Sequence, residues 1–395
     1  MDTGKRNVTA TAVERRRPTV LSRCWTLIED QWFLIVLVAL VVFSSQVQVP
    51  EAQQEAKTRI TQYVTIAVIF FINGLTTRTE DLVANIRRWR CHVFIQLMGF
   101  FFTSLTMLGL VAAIASNRAL LDPLLLNGLV ILGCLPTAFS INTLMARKAK
   151  GNATLTLTES VFGNAVGPFL SSLLVLGYTS ISKWYTEVLP KTDGGLGELL
   201  RKIFLQFGLT LILPLAIGQL VQSFFPKVVG KVMHDYQAIR LGSLSLLVLL
   251  WSGYDSAFAS HAFADVEKTQ IFGVVVICLS LFVLWMLVTI AASITFLDRE
   301  DTIAAAFCIP TKSPALGIPL ATILFAGMSV EDTAKVHIPL IIFQFVQTCL
   351  SNLASIPLRR WRAKHVYETD SDTASDAVEL AAYPRRRIPG ENCSR

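Results

Sequence analysis

Charge is what this sequence has least of. Only 16% of its 395 residues are Asp, Glu, Lys or Arg, against about 25% in an ordinary soluble domain. With 53% hydrophobic residues gathered in long runs, a water-soluble globular chain is excluded. Paired cysteines are missing too. The seven, at 24, 91, 134, 278, 308, 349 and 393, show no CxxC or paired spacing, so neither a disulfide framework nor a zinc site is supported. Catalytic-triad and metal motifs are absent, and the apolar runs hold only isolated acids. No enzyme, metal or cofactor is expected. The first 30 residues are polar and basic, without an apolar signal-peptide core or a small-residue cleavage site. The first span is therefore expected to act as an uncleaved insertion signal.

What is present is a series of apolar segments, each near the roughly 20 residues that a helix needs to cross a bilayer. Ten helices are predicted, near 32–46, 60–75, 92–115, 123–146, 153–178, 199–223, 240–262, 269–294, 302–327 and 335–357. Open backbone polar groups are not tolerated in lipid, so these must be helices. The alternating strands of a transmembrane barrel are not seen. The net charge of +7 calls for no nucleic acid, because the basic residues flank the spans. With the N-terminus inside, most of the 35 Lys and Arg fall on inner segments, which places both termini in the cytoplasm.

Two of these segments break in the same way. GCLPTAFSIN (133–142) and FCIPTKSPAL (307–316) each carry Cys-x-Pro-Thr. They fall in the fourth helix of the first five and the fourth of the second five. Five is odd, so the second set enters the membrane from the opposite side, as in the inverted repeats of secondary transporters. The predicted fold is therefore an all-α polytopic membrane protein with two inverted five-helix repeats, 31–180 and 199–358. A cytoplasmic segment (1–30) and a disordered cytoplasmic tail (359–395) flank them. Proline removes an N–H and clashes with the carbonyl one turn back. The freed carbonyls and half-helix ends can bind ions or charged groups at mid-membrane. Pro136, Thr137, Ser140, Asn142 and Thr143 at the first break, and Pro310, Thr311 and Ser313 at the second, form the candidate solute or ion site. A single break is ordinarily a kink repaired by its neighbours; two matched breaks, one beside a lysine, favour a site.

That lysine, Lys312, is the strongest single candidate, because a charge at the centre of a membrane helix costs about 2.5–3.5 kcal/mol. Its ammonium could stand in for a bound cation, bind an anionic substrate or release a proton during a cycle. The alternative is a structural ion pair that pins the two breaks. Glu159, near the start of span 5, either pairs with Lys312 or caps its span, with the cap favoured. Asn164 lies between Gly163 and Gly167, whose spacing permits close helix approach. Asn127 and Asn73 are weaker polar candidates. Asp255 and His261 are expected at an outer mouth or interface.

At CLPTAFSINTLMARKAKGN, VFGNAVGPFLSSLLV and FCIPTKSPALGIPLATILFAG the chain resembles the bile acid:sodium symporter-like family. It is most similar to the branch of solute carrier family 10 member 7 and its fungal relatives, with IFFINGLTTRTEDL (69–82) fitting the segment after helix 2. The resemblance runs from about residue 25 to 360. It implies ten helices, broken helices 4 and 9 crossing where they unwind, and a core domain moving against a panel domain. It also implies a plasma-membrane protein, or one of an internal secretory-pathway membrane, that restrains calcium influx, with an unidentified small solute or ion as cargo. Alternatives are a sodium- or proton-coupled symporter of an organic anion, and a non-transporting regulator that binds a calcium channel. The bile-acid branch carries Glu-x-Gly-x-Gln-Asn in helix 9 as sodium ligands. Aligned on Gly317, this chain reads Ala315, Leu316, Gly317, Ile318, Pro319, Leu320, without the carboxylate, and with Lys312 three residues ahead of its position.

Outside the spans, TTRTEDLVANIRRWR (76–90) is amphipathic and basic, either a topology-setting loop or a segment drawn to anionic lipid. The acidic stretch 367–380 carries Thr369, Ser371, Thr373 and Ser375, as a phosphorylation tail or a solvated one. Asn7, Asn152 and Asn392 begin glycosylation sequons, expected on the cytoplasmic side and unmodified.

Overall fold

A computed structural model of the protein describes residues 20–190, 195–235 and 239–382. Asn7, Asn392 and Cys393 lie outside them, and so do the side chains of Cys24, Ser140 and the acidic tail. Among the described residues the chain is helical, with no strand.

The helices are α1 Val20–Gln46, α2 Glu51–Thr76, α3 Thr79–Ile86 and α4 Trp89–Ile114. After these come α5 Pro123–Cys134, α6 Ser140–Lys148, α7 Ala153–Thr179, α8 Gly197–Phe224 and α9 Pro226–Asp235. The chain continues as α10 Ile239–Ala259, α11 Lys268–Ser293, α12 Arg299–Cys308, α13 Pro314–Leu324 and α14 Val330–Ala382. Among the described residues seven stretches are long and apolar enough to cross a membrane, and Trp32–Gln46, α5 and α13 are shorter apolar helices. Large apolar side chains stand exposed along them, such as Leu209, Phe272 and Leu353, as a lipid solvent allows and water would not.

Local chemistry sets the boundaries. Asp122 accepts the Leu124 N–H at 2.7 Å and Pro123 takes the first helical position of α5, both standard start signals. Asn152 caps α7 by accepting the Leu155 N–H at 2.9 Å. The side chain thus has a structural role at one of the three sequons. Both predicted breaks are present. Residues 135–139 separate α5 from α6, and 309–313 separate α12 from α13. Single π-helical turns interrupt α4 at Met98–Phe102 and α8 at Gly208–Ile212.

Two boundaries differ from the sequence reading. α2 begins at Glu51, not near 60, because its first turns are polar and a hydropathy criterion misses them. α14 continues to Ala382 through the stretch predicted to be disordered. No Gly or Pro occurs between Leu358 and Ala382 to stop it.

Besides the GxxxG glycines of α7, two further glycines set a close approach between α2 and α8. A Cβ on Gly74 (α2) would lie 2.3 Å from the Leu215 carbonyl oxygen, and one on Gly218 (α8) 2.3 Å from that of Phe71. The clash is with backbone on both sides, so nothing can swing away. Gly218→Ala should therefore force α2 and α8 apart and cost about 1–3 kcal/mol. A lowered unfolding temperature of the purified variant checks this.

Candidate functional site

The two breaks meet. The Ser313 N–H donates to the Pro136 carbonyl at 2.9 Å, and the Thr137 and Thr311 hydroxyls lie 3.5 Å apart. Asn142 joins both breaks. Its amide nitrogen donates to Thr137 Oγ1 and to the Ala138 carbonyl, each at 2.5 Å, and its oxygen accepts from Thr311 Oγ1 at 2.6 Å.

Proline and the loss of helical geometry leave the carbonyls of 134–138 without their intrahelical donors, and in lipid each must find another. All five do. Ser171 Oγ donates to Cys134 O at 2.7 Å, Lys312 Nζ to Leu135 O at 3.0 Å and Ser313 N to Pro136 O. Asn164 Nδ2 donates to Thr137 O at 3.0 Å, and Asn142 with Ser160 Oγ to Ala138 O. Asn164 thus serves the first break directly, while its own side-chain oxygen, fully buried, has no partner. Gly167 lets the Pro136 ring approach: a Cβ there would lie 2.8 Å from its Cγ. Thr143 Oγ1 is buried without a partner, and the Ser140 side chain lies outside the described ones.

Lys312 is 1% exposed. Its ammonium donates to Gly99 O at 2.6 Å, Thr103 Oγ1 at 2.7 Å and Leu135 O at 3.0 Å, and sits 5.4 Å from the Trp285 ring centroid. Its backbone is clamped as well, with N–H to Gln347 Oε1 at 2.7 Å and carbonyl from Gln347 Nε2 at 2.9 Å. Two features fit it to the ammonium. Gly99 lies in the π-turn of α4, a device that re-aims backbone carbonyls. Leu135 ends α5, where the helix dipole is negative.

Several sequence-based assignments are corrected here. Among the described residues no carboxylate bonds Lys312, whose ammonium is held by three uncharged oxygens, so the structural-ion-pair reading and the Glu159 pairing both fall. Glu159 is not a cap either, since Asn152 holds that position. It is wholly buried, with Oε1 at 2.5 Å from His92 Nδ1 and Oε2 accepting from Gln96 Nε2 at 2.8 Å. Asp255, expected at an outer mouth or interface, is fully buried beside the cavity-lining Gln54, Ser252 and Ser256. It accepts from Lys57 Nζ at 2.5 Å, Gln54 Nε2 at 2.8 Å and the Val49 N–H at 2.9 Å. The sequence reading overlooked Lys57 because it placed that residue before α2. Asn127 spends its amide on the carbonyls of Pro123 and Tyr185, a packing role.

A cavity of about 1400 Å³ opens between α2, α8 and α10 on one side and α13 and α14 on the other. Gln62, Thr322 and the buried His337 give its wall a polar spot, with Gln62 Nε2 donating to Thr322 Oγ1 at 3.1 Å. The sequence reading singled out none of the three.

Known proteins support one assignment. The chain is 28% identical to the solute carrier RCH1 of Candida albicans, over 87% of this chain and 92% of that one. It is 28% identical to the Saccharomyces cerevisiae protein of the same name, over 93% of each. Against the sodium/bile acid cotransporter 7 of Rattus norvegicus it is 26% identical, over 85% of this chain and 94% of that one. The family model of the SBF-like CPA transporters matches residues 31–360, and with broken apolar helices meeting around a buried lysine, this chain belongs to that family.

Proposed function

We propose that this protein is a ten-span secondary transporter in which two inverted five-helix repeats cross at α5–α6 and α12–α13, and that it restrains calcium influx at the plasma membrane. Both termini face the cytoplasm in this reading. One moving body is α1, α2, α8 and α10, joined by the packing of α2 on α8 and of α10 on α1 and α2; the remaining spans form the other, and the cavity lies between them. The observation that carries the reading is the Lys312 ammonium, held by three oxygens where the breaks meet. It is a fixed cation in the place where relatives with a helix-9 carboxylate would hold a mobile one. Sodium is then not needed there. The three N–H groups of that ammonium are already taken, so an organic anion, the solute class in the name of the sodium/bile acid cotransporters, would bind in the cavity. The relatives named as solute carriers and cotransporters support the transport half.

A second reading has an observation of its own. All five carbonyls of the first break are satisfied by the protein's own donors, which suits a fold kept as a scaffold for regulating a calcium channel. The experiment separating the two uses full-length protein in proteoliposomes, exposed to a metabolite extract of the source cells. Transport predicts a small anion that accumulates with wild type and not with Lys312→Ala. No accumulated solute with either, while both proteins remain folded, favours the scaffold.

A further inference from the structure

His92 and Glu159 form a buried pair beside the crossover that bonds neither broken helix. Glu159 lies two turns into α7 and is 0% exposed; the His92 side chain, one turn into α4, is 14% exposed. Both imidazole nitrogens face acceptors. Nε2 is 2.9 Å from the Asn85 carbonyl oxygen, which can only accept, so Nε2 carries a hydrogen. Nδ1 is 2.5 Å from Glu159 Oε1. A lone pair facing a carboxylate at that distance would repel it, so one proton lies between them. The pair therefore holds a single exchangeable proton, either as imidazolium with carboxylate or as imidazole with carboxylic acid. When it leaves, through the exposed edge of the ring to water, the contact between α4 and α7 turns from attraction to repulsion.

That contact joins the helices gripping the crossover from two sides. On α7, Ser160 follows Glu159 and donates to Ala138 O, and Asn164, a turn further on, donates to Thr137 O. On α4, two and three turns beyond His92, Gly99 and Thr103 hold the Lys312 ammonium. Gln96 bridges the same helices, donating to Glu159 Oε2 at 2.8 Å and to its backbone carbonyl at 3.2 Å. The other charged or titratable groups facing the pair are Arg88 and Cys91 near the start of α4 and Cys308 at the end of α12, with Asp298 and Asp301 beyond Cys91. Arg88 is already taken by Asp301, so it does not neutralise Glu159.

We propose that His92 and Glu159 form a proton-binding site whose occupancy closes α4 onto α7 around the crossover, making the proton the ion coupled to movement of the two broken helices. This rests on the transporter reading, but the test does not. The full-length protein in phosphatidylcholine nanodiscs is titrated over about pH 5–8, where an imidazole exchanges its proton. Infrared difference spectra report carboxyl and imidazole protonation. Backbone deuterium exchange, corrected for its intrinsic pH dependence, reports opening of α7. The four other histidines contribute equally to both proteins, so the wild-type spectrum minus that of Glu159→Gln should show one step, with residues 153–164 of wild type exchanging faster above it. Glu159→Gln keeps a neutral hydrogen bond to His92 and has no carboxyl to share its proton, so the carboxyl step should vanish and exchange stay flat. No step in wild type would overturn the proton site. A step without any change in α7 exchange, or one that survives in Glu159→Gln, would overturn its link to the crossover.

Discussion

Lys312→Ala should lose the protein's activity and at the same time acquire a response to sodium. The substitution removes three charge-assisted hydrogen bonds, each worth about 1.5–3 kcal/mol. It leaves Leu135 O without its donor and Gly99 O with only the Thr103 hydroxyl, which itself keeps the Gly99 and Gly133 carbonyls. Trp285 and the clamp from Gln347 limit collapse of the space, so a small oxygen-lined gap remains where the ammonium was. Unfolding of the purified variant should therefore begin several degrees lower in choline buffer, with part of the loss recovered in sodium. Wild type, whose cation is covalent, should unfold at one temperature in both. A variant insensitive to every monovalent cation would mean that the three oxygens do not form a cation cradle.

The second large effect is expected at Asp255. Asp255→Ala leaves Lys57, its side chain 9% exposed, facing Gln54 Oε1, the Ser252 carbonyl and Ser256 Oγ with no counter-charge. Breaking a buried pair by removing one partner costs about 3–5 kcal/mol, whereas replacing both by apolar residues of similar size is often nearly neutral. The single variant should yield little folded protein, and the double variant Lys57→Met, Asp255→Leu should recover most of it. Size-exclusion profiles and unfolding temperatures of the three proteins check the order. If the single and double variants are equally unstable, the pair matters through the Val49 N–H that Asp255 also anchors.

What the sequence discloses and what it hides divide along a physical line. The breaks were legible because proline cannot be concealed in a helix, and Cys-x-Pro-Thr occurs twice at matched places. Thr137, Asn142 and Thr311 were legible as the oxygen-bearing side chains nearest those prolines. Lys312 stood out because its charge is expensive in an apolar run. Its partners did not, since two are backbone carbonyls, and one of those belongs to a π-turn that has no side-chain signature. Pairings across distant helices were hidden for the same reason. His92 meets Glu159 from 67 residues away and Lys57 meets Asp255 from 198, and no spacing rule reaches that far. Asp255 was placed at an outer mouth or interface because an acid near a span end is usually hydrated; the polar first turns of α2 that cover it gave no signal in hydropathy.

The most direct measurement is the cytosolic calcium transient after an external calcium pulse. It compares cells lacking this protein with cells given back wild type or Lys312→Ala at matched expression. The account predicts a larger transient in the deficient cells, restored to normal by wild type and left high by Lys312→Ala. Equal restoration by the two proteins would contradict it, because the membrane lysine at the helix crossing would then be dispensable for the function assigned to it.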